Sequence, residues 1–144
     1  MNKMRQNSLV GTWRLISCEL RSANGEINYP FGQDASGYIT YTEDGYMFVA
    51  VMNSNRSKFA SGDFKRGTTE ETVAAARTYL SYCGKYDIQG NTVIHRIEVS
   101  SYPNWIGMDQ PRFFEFDGDR LILSSRPLLV DGIQQTFLVV WERV

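Results

Sequence analysis

Turns that contain glycine divide this chain into short runs rich in β-branched and aromatic residues. The clearest turn is Asp44-Gly45, which stands between the β-rich runs 37–42 and 45–52 and favours a tight hairpin. Similar turn signals occur at residues 89–91 and 117–119. Short strands repeated in this way predict an antiparallel sandwich or barrel.

About eight strands can be assigned from these runs. They are residues 9–20, 37–42, 45–52, 82–88, 93–100, 110–116, 120–125 and 135–143. A single helix is expected after Thr68, because Thr68 and Glu71 have the spacing of a capping box. Val73, Ala76 and Leu80 would share its apolar face, and the helix should stop before Gly84.

Length and charge limit the kind of protein this is. A chain of 144 residues is most simply one domain, residues 1–144. Its 15 basic and 16 acidic side chains argue against nucleic acid as a partner. No signal peptide or membrane-spanning run is recognisable, so we expect a cytoplasmic protein that does not act at a membrane. The sequence leaves open whether the chain forms a homodimer.

Residues 93–107 contain the chain's single histidine, His95, in a predicted strand. In an extended strand, His95 would share one face with apolar residues, and Arg96, Glu98 and Ser100 would share the other. An inward His95 face would give an apolar pocket with one titratable group. An inward Arg96 face would give a polar site, and the pattern leaves this choice open.

Two residues are candidates for acid-base catalysis. His95 is either a buried imidazole bonded to backbone or tyrosine, or a catalytic or ligand-binding group. Glu98 is either exposed in a surface ion pair, or buried with a raised pKa that suits proton transfer. Cys18 and Cys83 are too few for a cysteine metal site, and His95 has no second histidine to share a metal with. The sequence also has no glycine-rich phosphate-binding loop or nucleotide fingerprint, so neither a metal nor another cofactor is expected.

Aromatic and polar side chains near this strand are candidates for ligand binding. The aromatic turn 102–105 either plugs one end of a barrel or grips a ligand at its rim. The candidate ligand-binding residues are Tyr41, Tyr46, Phe48, Tyr82, Arg96, Ser100, Trp105 and Arg112.

The segment Gly11-Thr12-Trp13 resembles the Gly-x-Trp signature of the lipocalin and fatty-acid-binding (calycin) barrels. Those barrels often pack an arginine of the last strand over this tryptophan, and Arg143 is the candidate here. The whole chain is similar to the bacterial and fungal lipocalin-like domain family. The matching segments are residues 9–15, 29–32, 41–47, 79–86, 95–100, 103–107, 112, 118–121 and 141–143.

This resemblance implies a mainly β protein, an antiparallel up-and-down lipocalin-like barrel of about eight strands with one inserted helix. A barrel of that size can hold one small ligand, but the fold does not fix the activity. The first hypothesis is binding of a small apolar or aromatic molecule. The second is a cofactor-independent isomerase, cyclase or dehydratase of secondary metabolism, with His95 or Glu98 moving protons. The third is an interaction module whose barrel is filled by its own side chains.

Overall fold

The computed structural model describes residues 8–144, in which ten strands form one antiparallel sheet. The strands are β1 (Gly11–Ser22), β2 (Ile27–Asn28), β3 (Ser36–Tyr41), β4 (Tyr46–Met52), β5 (Tyr79–Gln89), β6 (Thr92–Ser100), β7 (Asp109–Asp117), β8 (Arg120–Ser125), β9 (Leu128–Val130) and β10 (Ile133–Arg143). Helix α1 (Thr69–Arg77) connects β4 to β5, and a 3-10 helix (Pro103–Trp105) connects β6 to β7.

The sheet closes on itself because the first and last long strands pair with each other. Strand β1 pairs with β10 from Trp13 opposite Arg143 to Ser22 opposite Gln135. The short strands β2 and β9 extend from β1 and β10 and lie outside the closed ring. The other eight strands follow one another in chain order, which confirms the predicted up-and-down barrel.

Arg143 and Trp13 close one end of the barrel. The Arg143 guanidinium lies 4.0 Å from the centre of the Trp13 ring and donates to the carbonyls of Val10 and Ser8 at 3.0 and 2.6 Å. Gly11 makes room for it, because a Cβ there would lie 2.8 Å from Nη1 of Arg143. The predicted stacking of Arg143 on Trp13 is therefore confirmed.

Helix α1 begins as predicted and ends earlier. The Thr68 hydroxyl accepts from the Glu71 amide at 3.1 Å, and the Glu71 carboxylate accepts from the Thr68 amide at 2.9 Å. The helix ends at Arg77, so the predicted helical face that included Leu80 is wrong. Leu80 belongs to β5, because the ladder to β4 already starts at Tyr79 opposite Met52 and uses the backbone hydrogen bonds of this segment. No helix within residues 8–144 is long and apolar enough to cross a membrane.

Candidate ligand-binding site

The face of β6 that carries His95 points into the barrel. Val93, His95 and Ile97 are almost fully buried, with exposed fractions of 0%, 1% and 2%. Arg96 points outward and pairs with the carboxylates of Asp87 and Asp109, both at 2.7 Å. The tertiary structure thus selects the apolar face with one titratable group, and the alternative of an inward-facing stripe of Arg96 and Glu98 does not occur.

A β-bulge in β6 changes the direction of the side chains after Ile97. Cys83 pairs with Val99 while Gly84 pairs with Ile97, so Glu98 is the extra residue and is exposed. Gly84 permits this, because a Cβ there would lie 1.9 Å from the backbone carbonyl oxygen of Arg96. Val99 consequently faces outward, with 64% of its surface exposed.

His95 is held between two tyrosine hydroxyls inside the barrel. Its Nε2 lies 2.7 Å from the Tyr41 hydroxyl, and its Nδ1 lies 2.8 Å from the Tyr82 hydroxyl. A neutral imidazole has one N–H donor and one acceptor nitrogen, so one tyrosine donates to the ring and the other accepts from it. Of the two alternatives for His95, the structure has the buried imidazole that is bonded to tyrosine.

Burial keeps this trio uncharged. It lowers the pKa of His95 well below its ordinary value of 6.5, and the nearby charge of Arg112 lowers it further. Burial also raises the pKa of both Tyr41 and Tyr82 above the ordinary value of 10.0. At neutral pH the trio is therefore a polar network without a formal charge.

A cavity of about 60 Å³ lies beside this network inside the barrel. Its polar lining comes from Cys18, Tyr82, His95 and Arg112. Burial raises the pKa of the Cys18 thiol to about 12, so this group is also neutral. The rest of the lining is aliphatic and aromatic, and includes Phe31, Ile39, Val49, Val51, Leu80, Leu123, Phe137, Val139 and Trp141.

A second pocket, of about 260 Å³, adjoins the cavity at the end of the barrel. Trp105 and Arg112 line both spaces and form the wall between them. Pro103 begins the 3-10 helix that positions Trp105, whose ring makes edge contacts with Tyr82 and Tyr102 at centroid distances of 5.7 and 5.6 Å. The aromatic turn therefore stands at the boundary between the interior and the surface.

The structure separates the predicted ligand-binding residues into three groups. Tyr82, Trp105 and Arg112 line the cavity together with His95, and Tyr41 supports His95 from behind. The Ser100 hydroxyl accepts from the Tyr102 amide at 3.1 Å and so supports the aromatic turn. Tyr46, Phe48 and Arg96 face outward, as does Glu98, which was a candidate for acid-base catalysis.

Tyr46 and Phe48, named from the sequence as candidate ligand-binding residues, lie on the outside of the barrel. Both are largely exposed, at 39% and 50%, because the alternating face of β4 that points inward carries Met47, Val49 and Val51. Both faces of this strand are apolar, so the sequence pattern could not choose between them. Phe31 also lines the cavity but was not among the candidate residues. The aromatic loop at residues 29–32, one of the segments that resemble the family, is the signal that could have identified it.

Among residues 8–144, no three His, Cys, Asp or Glu side chains are grouped so that they could hold a metal ion. The cavity lining itself supplies a neutral hydrogen-bonded network, one buried guanidinium and an apolar wall.

Comparison with known proteins shows the family of the chain. A model of the lipocalin-like domain matches residues 10–144. The chain belongs to the lipocalin-like domain family. This lipocalin-like chain is 37% identical, over 107 residues, to the 4'-hydroxy-3'-methoxypropiophenone carrier protein ppsC of Aspergillus oryzae, covering 68% of the chain and 96% of that protein. It is also similar to the crystal structure of a mutant of the fluorescent protein UnaG, with 12% identity, a TM-score of 0.41 and coverage of 96% and 97% of the two chains.

Proposed function

We propose that this lipocalin-like chain binds a small aromatic molecule inside its barrel and acts as its carrier. The observation that carries the proposal is the cavity between Trp105, Arg112 and the His95 network, whose lining is otherwise apolar. Ligand pockets typically combine such an apolar wall with a few polar groups that fix orientation. The fungal relative, whose name describes a carrier of an aromatic ketone, supports the same function.

The polar groups of the cavity wall that still have an N–H hydrogen atom to donate are Arg112 and Trp141. Arg112 has only N–H donors, and the buried indole N–H of Trp141 has no hydrogen-bond partner among the described residues. His95 and Tyr82, in contrast, already bond to each other. A well-matched ligand therefore supplies acceptor oxygens, as the ketone, hydroxyl and methoxy groups named for the fungal relative's cargo would.

The size of the cavity adds a mechanical requirement. Ligand pockets usually measure roughly 300–1,000 Å³, and the interior space of about 60 Å³ is far smaller. Together with the adjoining pocket of about 260 Å³ it reaches the lower end of that range. Because Trp105 lines both spaces, a change in its side-chain rotamer would join them, and we include this movement in the proposal.

An enzymatic role has less support from the geometry. Glu98 is exposed on the outer side of the bulge, away from the cavity. His95 is neutral, and hydroxyl groups occupy both of its ring nitrogens. Neither predicted catalytic residue offers a free base to a molecule in the cavity, which favours the carrier. A cytoplasmic location and a role in secondary metabolism belong to the same proposal and rest on the sequence and the family resemblance.

Isothermal titration calorimetry with 4'-hydroxy-3'-methoxypropiophenone tests the proposal. Val139 lines the cavity, whereas Val99 is exposed on the outer surface. Val139→Phe fills the cavity, so a ligand would have to overpack it at a cost of about 1–3 kcal/mol, and binding should weaken by roughly fivefold to 150-fold. Val99→Phe makes the same chemical change outside the barrel and should leave the affinity unchanged.

Two results would contradict this function. The wild-type chain could show no binding heat with this ketone or with simpler aryl ketones, which would favour a barrel filled by its own side chains. Alternatively, both phenylalanine variants could bind as tightly as the wild type, which would place the ligand outside the barrel. Circular dichroism of each variant checks that the fold is intact.

A further inference from the structure

Arg112 is a buried cation that lacks an anionic partner. Only 9% of its surface is exposed. Its Nη1 donates to the backbone carbonyl of Pro111 at 3.1 Å and, at the longer distance of 3.3 Å, to the side-chain carbonyl of Gln110. Within residues 8–144, no carboxylate lies within 4.0 Å of this guanidinium. Buried charges are usually paired, because their desolvation is costly.

The groups that face Arg112 from the neighbouring strands do not balance its charge. Cys18 of β1, Tyr41 of β3, Tyr82 of β5 and His95 of β6 are all neutral at pH 7, as shown above. The other ionisable residue that lines the adjoining pocket is Arg126, which is also positive. The space around Arg112 therefore has a net positive charge, and this favours an anion.

The position of Arg112 makes it reachable by a ligand. It lines both the interior cavity and the surface pocket, so an oxygen bound to it could belong to a molecule that extends into either space. The weak contact with Gln110 at 3.3 Å leaves that donor available for a better acceptor. Arg112 is therefore placed where the ligand's most acidic group would be recognised.

We infer that the ligand carries an acidic hydroxyl on its aromatic ring and that Arg112 binds this group as the phenolate. The inference rests on the proposed carrier function and adds the chemical class and charge state of the cargo. The O–H bond of the phenol breaks heterolytically, the oxygen keeps the electron pair, and the proton leaves to the solvent through the adjoining pocket. No group is oxidised or reduced.

A phenol fits this site better than a long-chain acid does. The cavity of about 60 Å³ and the adjoining pocket of about 260 Å³ together suit a molecule with one ring better than an extended alkyl chain. The rings of Tyr82 and Trp105 lie beside Arg112 in the cavity lining, where an aromatic ring of the ligand can pack against them. An aryl carboxylate would bring the same anionic chemistry on a different group, so a benzoate must be compared directly with a phenol.

The test is a spectrophotometric pH titration of 4'-hydroxy-3'-methoxypropiophenone, free and bound, because phenol and phenolate absorb at different wavelengths. An opposite charge within about 4–6 Å lowers a pKa by roughly 1–3 units. The wild-type chain should therefore bind the phenolate roughly tenfold to thousandfold more tightly than the phenol. In Arg112→Gln this preference should disappear, and Arg112→Lys should keep much of it.

Matched controls separate this inference from the carrier function. Arg96→Gln removes an arginine from the neighbouring strand, but one that points to solvent, and should leave the preference intact. The methyl ether 3',4'-dimethoxypropiophenone cannot ionise and should bind with an affinity that does not change with pH.

An unchanged phenol pKa on binding to the wild type would overturn the inference while leaving the carrier function standing. Tighter binding of 4-methoxybenzoate than of the phenol, again dependent on Arg112, would also overturn it by assigning a carboxylate cargo. If neither probe bound at all, the carrier function itself would fail.

Discussion

The buried, neutral His95 makes the stability of this fold depend on pH in a range where few other groups titrate. In the unfolded chain the imidazole has an ordinary pKa near 6.5, whereas in the barrel burial and Arg112 lower its pKa well below that value. Below pH 6.5 the unfolded state therefore binds a proton that the folded state does not. The free energy of unfolding should begin to fall near pH 6.5 and continue to fall until the folded-state pKa is reached.

The magnitude follows from this linkage. Each pH unit in that window costs about 1.4 kcal/mol for one proton. As long as the buried ring stays neutral, acidification from pH 7 to pH 5 should remove about 2 kcal/mol of stability. His95 is the chain's single histidine, and carboxylates mostly titrate at lower pH, so this interval reports chiefly on one residue.

Urea unfolding of a protein without an affinity tag, at several pH values between 7 and 5, measures this slope. His95→Gln keeps a donor and an acceptor for the two tyrosine hydroxyls but does not titrate, so its stability should be almost constant over the same interval. A wild-type slope close to zero would refute the reasoning, and so would an equal slope in the variant. An NMR titration of the histidine ring protons gives an independent check, since a ring that titrates near pH 6.5 in the folded protein contradicts the argument.

Two further predictions concern the barrel wall. Gly84→Ala should lower the free energy of unfolding by at least about 2 kcal/mol in urea denaturation, because the new Cβ would meet the Arg96 carbonyl oxygen at 1.9 Å. Gly62→Ala, where no atom lies within 4 Å, should change it by less than about 0.5 kcal/mol, and equal effects would contradict the bulge geometry. In a thiol-reagent assay at pH 8, the half-exposed Cys83 should react, whereas the buried Cys18 should not react until the protein unfolds. The reason is that burial raises the pKa of the Cys18 thiol to about 12. Equal reaction rates for both thiols would show that the interior is open to solvent.

Local signals in the sequence were sufficient for most of the secondary structure. The Asp44-Gly45 turn joins β3 to β4 as predicted, and Gly45 has the positive φ of 96° that such a turn uses. The two shortest strands, β2 and β9, were not among the predicted strands, because two or three residues are too few to show an alternating pattern. The end of α1 was also misplaced, since pairing between β4 and β5 overrode the helical preference of residues 78–80.

The candidate site was predicted only in part, because the sequence does not show which of the two alternating faces of a strand points into the barrel. Arg112, Trp105 and Tyr82 were named from the sequence and line the cavity. Tyr46 and Phe48 were named with the same arguments and lie outside, because an apolar side chain looks alike on either face of a strand whose two faces are both apolar.

The sequence by itself determined an antiparallel sandwich or barrel, since turn chemistry and strand spacing depend on residue type and order. The resemblance to lipocalin-like proteins then selected the barrel and the pair formed by Trp13 and Arg143 at one end. The tertiary structure alone decided what the barrel contains. The direction of each side chain depends on register, and the bulge at Glu98 shifts that register within a single strand. Arg96 alternates with the buried His95 and so meets two surface carboxylates, whereas Arg112 lies opposite the inward-facing Val93 and is buried without a carboxylate partner.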